Sequence, residues 1–321
     1  MNPISEMGRI GLSHPRKLAH AMSTCLSVLM ILATSSTIQA AESYQLISNG
    51  DYAIPTLIHW PDQPTKAPLV LMLHGTAGQK NEVGGLYQRL AKKLATKGIA
   101  SARFDFAGTG QSPVDYQQYT LTSAVRDAQT VLKYLFELPE FDSSEIAVVG
   151  FSQGGLVAQL LVTDSLSPRI NHLVTWATMA SNDQGVFSDF YAQYLTEAQQ
   201  QGFASVKFDW RDAPLRFSLT WFNELANNQS LERMKRFSGN ILLIAGKEDL
   251  TVPYQQSERL KRTAALANST LVLMDGANHL FRVIDSSGQL SPDQTIPNQL
   301  LNTTVDWLSY QLLSDAPSKE R

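Results

Sequence analysis

From residue 44 onward, short apolar runs alternate with longer stretches whose apolar positions recur every three or four residues. Tyr44–Ser48 and Asp51–His59 read as two strands around Asn49-Gly50, a dipeptide that favours a tight hairpin turn. Leu69–Leu73 is apolar at every position, which suits a strand buried on both faces of a parallel sheet. The pattern then predicts helix 86–97 and strand 99–104, helix 121–138 and strand 146–149, and helix 154–163 and strand 172–176. After a break it predicts strand 241–245, helix 255–267, strand 270–274 and helix 298–313. Strands alternating with helices imply an α/β protein, with a mostly parallel central sheet and helices on both faces.

The break spans about sixty residues between Ala177 and Ser238, lacks a strong strand signal and holds ten aromatics from Phe187 to Phe222. A structureless loop of that length does not fit a compact domain. The segment, about 178–238, is therefore expected to be a helical insertion that lids the edge of the sheet. Most of its aromatics are expected to form its own core, and a few to face a ligand.

The first forty residues follow a different pattern. Arg9, Arg16 and Lys17 precede an apolar run from Cys25 to Ala33, and small residues lead on to Ala40. That order describes a secretory signal peptide over 1–40, cleaved after Ala40 or within a residue or two of it. The alternative, an uncleaved anchor, would have to cross roughly 30 Å of hydrocarbon with a run that is too short. A periplasmic or secreted location without a stable membrane anchor is expected. Removing 1–40 takes the formal charge from -3 to about -5 and leaves residues 41–321 without cysteine, so no disulfide is available.

Composition narrows the function classes. A chain that is 43% hydrophobic and 17% charged is not a disordered tail. Its small net charge carries no electrostatic footprint for nucleic acid.

The densest chemical signal is Gly150-Phe-Ser152-Gln-Gly154, between a predicted strand and a predicted helix. Gly-x-Ser-x-Gly in that context is a nucleophile elbow: the turn is too tight for side chains two positions from the serine, and the helix N-terminus favours developing negative charge. A serine nucleophile needs a base, and the base needs an orienting carboxylate, which follow the serine in the order acid, then histidine. Only His172 and His279 come after Ser152. His172 opens an apolar strand, whereas His279 ends the loop Asp275-Gly-Ala-Asn-His279. Asp249, after strand 241–245, is the favoured acid, with Glu248 and Asp275 as the other candidates. An acyl-transfer site also needs oxyanion donors. The Gln153 N–H and the Thr76 N–H, in His74-Gly-Thr-Ala-Gly78, are expected to supply them. His74 is expected to make a structural hydrogen bond, since no second metal-ligand type stands at ligand spacing beside it.

With these motifs the chain resembles the α/β-hydrolase superfamily, and within it serine esterases of the cinnamoyl or feruloyl type and serine aminopeptidase-like members. The resemblance runs over nearly all of 44–313 and includes Arg103-Phe-Asp-Phe-Ala-Gly-Thr-Gly-Gln-Ser112, Asp249-Leu-Thr-Val-Pro253 and Asn278-His279. It implies an α/β-hydrolase fold with Ser152 as nucleophile, His279 as general base, Asp249 as its orienter and Thr76 and Gln153 as oxyanion donors. No metal and no organic cofactor are implied. Thr76 stands where that group often has an aromatic, and Phe151 where it often has His; the first departure weakens the expectation of a hydroxycinnamate pocket. The expected activity is hydrolysis of a small-molecule carboxylic ester. The alternatives are a serine peptidase (aminopeptidase- or prolyl-oligopeptidase-like), a lipase and a non-catalytic binding protein. A peptidase would need an acid for the substrate amine, for which Asp183, Asp189, Glu197, Asp209 and Asp212 are available.

Overall fold

The structure, a computed structural model, describes residues 42–61 and 66–314; the segment read as a signal peptide lies outside them. Among the described residues, the central sheet is built from β1 (Glu42–Ser48), β2 (Ala53–His59), β3 (Ala67–Leu73), β4 (Ala100–Phe104), β5 (Phe141–Phe151), β6 (His172–Trp176), β9 (Asn240–Gly246) and β10 (Asn268–Met274). The strands lie in the order β1-β2-β4-β3-β5-β6-β9-β10. β2 runs antiparallel to both its neighbours and every other pairing is parallel.

The connecting helices are α1 (Leu86–Ala95), α2 (Leu121–Phe136), α3 (Gln153–Val162), α7 (Gln255–Thr263) and α8 (Thr295–Leu313). β3 shows why the sheet needs cover on both sides. Leu69, Leu71 and Leu73 belong to a core with α2, α3 and α7, while Val70 and Met72 belong to a second core with α1 and α8. Alternation of side chains along the strand sends each set to its own face. α3 is buried on nearly all sides, as expected of a helix without a polar face.

The chain leaves β3 toward β4 and leaves β5 toward β6, in opposite directions across the sheet. The carboxyl ends of β3 and β5 therefore flank a switch point, the place where open parallel sheets form a crevice. The loop after β3 begins at His74 and the turn after β5 carries Ser152.

Two local expectations change. The Asn49-Gly50 hairpin has a four-residue loop, with Ser48 paired to Ala53, and not a two-residue turn. Asn49 Oδ1 accepts from the Asp51 and Tyr52 amides, while Asn49 Nδ2 and the Tyr52 hydroxyl both donate to buried Asp127 on α2. Those bonds to a distant residue draw the loop wider.

The insertion is also not wholly helical. It contains α4 (Ser188–Gln201), β7 (Phe203–Val206), β8 (Leu215–Ser218), α5 (Leu219–Ala226) and α6 (Ser230–Met234). β7 and β8 pair antiparallel, burying Ala204 and Val206 on one strand and Leu215 and Phe217 on the other. Strands of four residues are too short to leave a periodic signal. Phe217, Trp221 and Phe222 form the insertion's aromatic core, and Phe217 meets Tyr116 of the main domain edge-on at 4.8 Å.

Candidate active site

The turn after β5 holds Ser152 at φ 54°, ψ -120°, outside the favoured regions for a residue with a side chain. Its N–H donates to Trp176 O at 2.9 Å and its carbonyl accepts from Gly155 N at 3.0 Å, which pins the strained turn. The flanking glycines are sterically required. A Cβ at Gly150 would meet Gly154 O at 2.5 Å, and one at Gly154 would overlap the carbonyl oxygens of Leu73 and His74.

His279 follows β10 and Asp249 follows β9, so both arrive at the same end of the sheet as Ser152. His279 Nε2 lies 3.1 Å from Ser152 Oγ and Nδ1 lies 2.8 Å from Asp249 Oδ2. Asp249 Oδ1 accepts from the Thr251 and Val252 amides at 2.9 and 2.7 Å, which fixes a fully buried carboxylate with Oδ2 facing the ring. Nδ1–H therefore donates to Asp249, and Nε2 is free to accept the serine proton. The Phe151 ring packs beside the imidazole at 5.1 Å. Glu248 and Asp275 are elsewhere, paired with Arg282 and with Lys247 on the surface, and His172 sits on β6 against Trp307.

Thr76 and Gln153 are brought together across the crevice: Thr76 Oγ1 donates to Gln153 Oε1 at 3.2 Å, and so does the Tyr119 hydroxyl at 2.9 Å. Gln153 is the first residue of α3, where backbone N–H groups have no intrahelical acceptor. Among the described residues, no backbone acceptor takes the Thr76 or Gln153 N–H. His74 is fully buried. Its Nδ1 donates to Gly75 O at 2.9 Å and its Nε2 accepts from Phe106 N at 3.2 Å. Burial pushes its pKa down to about 4, so the ring is a neutral strut for the loop.

Comparison with known proteins agrees with this architecture. A family model for serine aminopeptidase, S33, matches residues 64–211. Est1E from Butyrivibrio proteoclasticus, solved with ferulic acid bound, superposes with a TM-score of 0.64 at 19% identity, over 85% of this chain and 100% of that one. The chain has the α/β-hydrolase fold. The esterase EaEST from Exiguobacterium antarcticum superposes with a TM-score of 0.59 at 17% identity, over 83% of this chain and 98% of its own. The protein named carbamate hydrolase RutD, of Pseudomonas syringae pv. syringae, is 26% identical over 249 residues, which are 70% of this chain and 91% of that protein.

Several residues of the candidate site carried no signal in the sequence. Glu82, buried and at φ 60°, accepts from Gly75 N at 2.8 Å and Val83 N at 2.9 Å. It thereby holds the amide just before Thr76. Burial raises its pKa, and the amide bonds together with the nearby His279 offset part of that rise. Buried Lys80 and Asp105 pair at 2.6 Å and tie the same loop to the loop after β4, with Asp105 also accepting from the Lys80 and Gln111 amides. From the insertion, Arg211 reaches Ala77 O at 3.5 Å. The acids Asp183, Asp189, Asp209 and Asp212 are exposed, and Glu197 accepts from Ser205 within the insertion. A cleft of about 600 Å³ between α2 and α5 includes none of Ser152, His279 and Asp249 in its lining.

Proposed function

We propose that this α/β-hydrolase is a secreted or periplasmic serine esterase that cleaves small-molecule carboxylic esters through an acyl-enzyme. The observation that carries the reading is the hydrogen-bonded line from Ser152 Oγ through His279 to Asp249, beside the Thr76 and Gln153 amides. In this reading Ser152 Oγ attacks the ester carbonyl while His279 Nε2 takes its proton, and Asp249 stabilises the resulting imidazolium. The two amides receive the oxyanion. His279 then protonates the leaving alcohol, activates a water against the acyl-serine, and Ser152 is regenerated as the acid departs. The insertion acts as a lid over the crevice and supplies its apolar wall.

The match to a serine aminopeptidase model favours amide cleavage as a second reading. The ester reading is preferred because Asp183, Asp189, Asp209 and Asp212 are exposed, Glu197 is spent on Ser205 N and Glu224 on Thr122 N, so none of these is set aside for a substrate amine. The test is a rate panel of short and long aliphatic esters, methyl hydroxycinnamates and aminoacyl anilides, with Ser152→Ala as control. Ester turnover abolished in the control is the expected result; anilide turnover exceeding ester turnover would overturn it. Secretion is supported by the residue pattern of 1–40 and is tested by N-terminal sequencing of the exported protein, which should begin near Ala41.

A further inference from the structure

Beside the oxyanion loop stand three buried side-chain donors that satisfy nothing in the protein. Gln153 Nε2, the Tyr116 hydroxyl and Arg211 Nε each lack a hydrogen-bond partner among the described residues. Gln153 and Tyr116 are 1% and 3% exposed. A buried donor left unpaired carries an uncompensated desolvation cost, larger for a charged one, so three in one neighbourhood call for a reason.

They share one neighbourhood through the loop itself. Gln153 is bonded to Thr76 and to Tyr119, and Tyr119 stacks on Tyr116 at 5.1 Å. Burial raises the Tyr116 hydroxyl's pKa, and the Ala77 amide and the Arg211 charge act on it in the opposite sense. Arg211 reaches the carbonyl of that same Ala77. The arm that carries Arg211 is a built feature: Lys207 Nζ donates to the Arg211 and Asp212 carbonyls, and Arg211 N donates to Phe208 O at 3.1 Å. At 3.5 Å the Arg211–Ala77 contact is too long for a clasp, whose usual N–H···O distance is about 2.9 Å. Most of the guanidinium's hydrogens remain unspent, and among the described residues Arg211 has no carboxylate partner within 4.0 Å.

We propose that Arg211, Tyr116 and Gln153 form an anion subsite beside the oxyanion loop, and that the ester cleaved carries a carboxylate seated there. The inference rests on the esterase reading and narrows its substrate class. A carboxylate offers acceptors on both oxygens, and the planar guanidinium fork matches it where a neutral hydroxyl or alkyl group would leave the donors unpaired.

The test compares kcat/KM within two matched pairs, read by pH-stat titration of the purified protein. Monomethyl glutarate against methyl pentanoate places the charge on the acyl side; acetoxyacetate against propyl acetate places it on the alcohol side. In the wild-type protein one anionic ester should exceed its neutral partner by roughly tenfold or more, the scale of a charge-assisted bond. Arg211→Gln should collapse that ratio, Arg211→Lys should restore part of it, and Tyr116→Phe should lower it less. An arginine that only held the insertion in place would move both members of a pair together. A wild-type preference for both neutral esters, or a ratio unaltered in Arg211→Gln, overturns the subsite. Calorimetric binding of the same esters to Ser152→Ala protein separates the two readings. Selective binding of the anionic ester without any turnover in the wild type would sink the esterase and keep the subsite. Turnover without selective binding would do the reverse.

Discussion

Replacing Asp249 by Asn tests the site with almost no change of shape. The carboxylate receives three hydrogen bonds: Thr251 N at 2.9 Å and Val252 N at 2.7 Å on Oδ1, and His279 Nδ1 at 2.8 Å on Oδ2. An asparagine has one acceptor oxygen and one donor nitrogen, so it must choose. With its oxygen toward the two amides, its nitrogen faces His279 Nδ1, which must then accept and move the ring proton to Nε2. That tautomer cannot take a proton from Ser152. With the amide turned over, two buried backbone N–H groups lose their acceptor, at about 1–3 kcal/mol each. The first orientation therefore dominates by roughly 2–6 kcal/mol, and nearly all molecules carry the unproductive tautomer.

The expected loss in kcat is about 10⁴-fold, or about 5 kcal/mol of barrier, the scale on which a triad loses its orienting carboxylate. KM should change little, because Asp249 is buried behind the histidine and does not reach the crevice. The assay is steady-state hydrolysis of a short p-nitrophenyl ester, with circular dichroism and thermal unfolding to show that the fold persists. Asp275→Asn is the control: Asp275 lies on the surface, bridged to Lys247 at 2.7 Å, and its loss should leave kcat near wild type. A folded Asp249→Asn protein within about tenfold of wild type would refute the assignment of the acid, and a large loss in Asp275→Asn would transfer it.

Further outcomes follow from the same geometry. Glu82→Gln keeps one acceptor for two amides, so the loop before Thr76 loosens; kcat on a short ester should fall about 10- to 100-fold with KM near wild type, and an unchanged kcat would remove Glu82 from the site's support. His74, whose pKa is lowered from 6.5 to about 4, makes a contribution to stability that is complete above pH 6.5 and is lost as pH falls toward 4, because the unfolded chain takes the proton first. By pH 5 that loss is about 2 kcal/mol. Glu82 and Asp127, with raised pKa values, pull the other way, so the decisive readout is NMR titration of the ring; a midpoint above pH 6 would contradict the buried neutral assignment. Gly154→Ala would drive a methyl into the Leu73 and His74 carbonyls and should cost about 3 kcal/mol or more in urea unfolding; a cost under about 1 kcal/mol would show that the elbow can relax.

The parts of the candidate site legible in the sequence are those whose physics is local. Gly150, Ser152 and Gly154 declare the elbow because its steric demands fall within five residues. His279 and Asp249 could be chosen because each directly follows a strand of a parallel sheet, and such a sheet delivers its strand ends to one edge. The parts that stayed hidden depend on distant partners. Glu82 looks like a surface acid until the chain folds its carboxylate back onto Gly75, seven positions away. Arg211 acquires meaning only against Ala77, 134 positions earlier. The Asn49 loop is wider than the Asn-Gly dipeptide alone implies for the same reason, since its side chain answers to Asp127, 78 positions on. β7 and β8 leave no periodic mark in the sequence because four-residue strands carry their signal in pairing.

Backbone strain gives the fold and the site a common logic. Among the described residues, six with side chains have positive φ: Ala77, Glu82, Ser152, Ala177, Phe281 and Arg282. All six lie in turns that follow β3, β5, β6 or β10, at the edge of the sheet where Ser152 and His279 meet. At about 1 kcal/mol or more each, their combined cost is comparable to the net stability of a whole domain. Hydrogen bonds that hold these turns offset it: Ser152 N on Trp176 O, Ala177 N on Ile244 O, the Glu82 carboxylate on Gly75, and Arg282 on Asn278, Gly276 and Glu248. Because these anchors set the positions of Ser152, His279 and the loop after β3 without lining the crevice, loosening one should lower kcat well before it raises KM. The strain is then what keeps Ser152 Oγ within 3.1 Å of His279, and the core beneath it is what makes that strain sustainable.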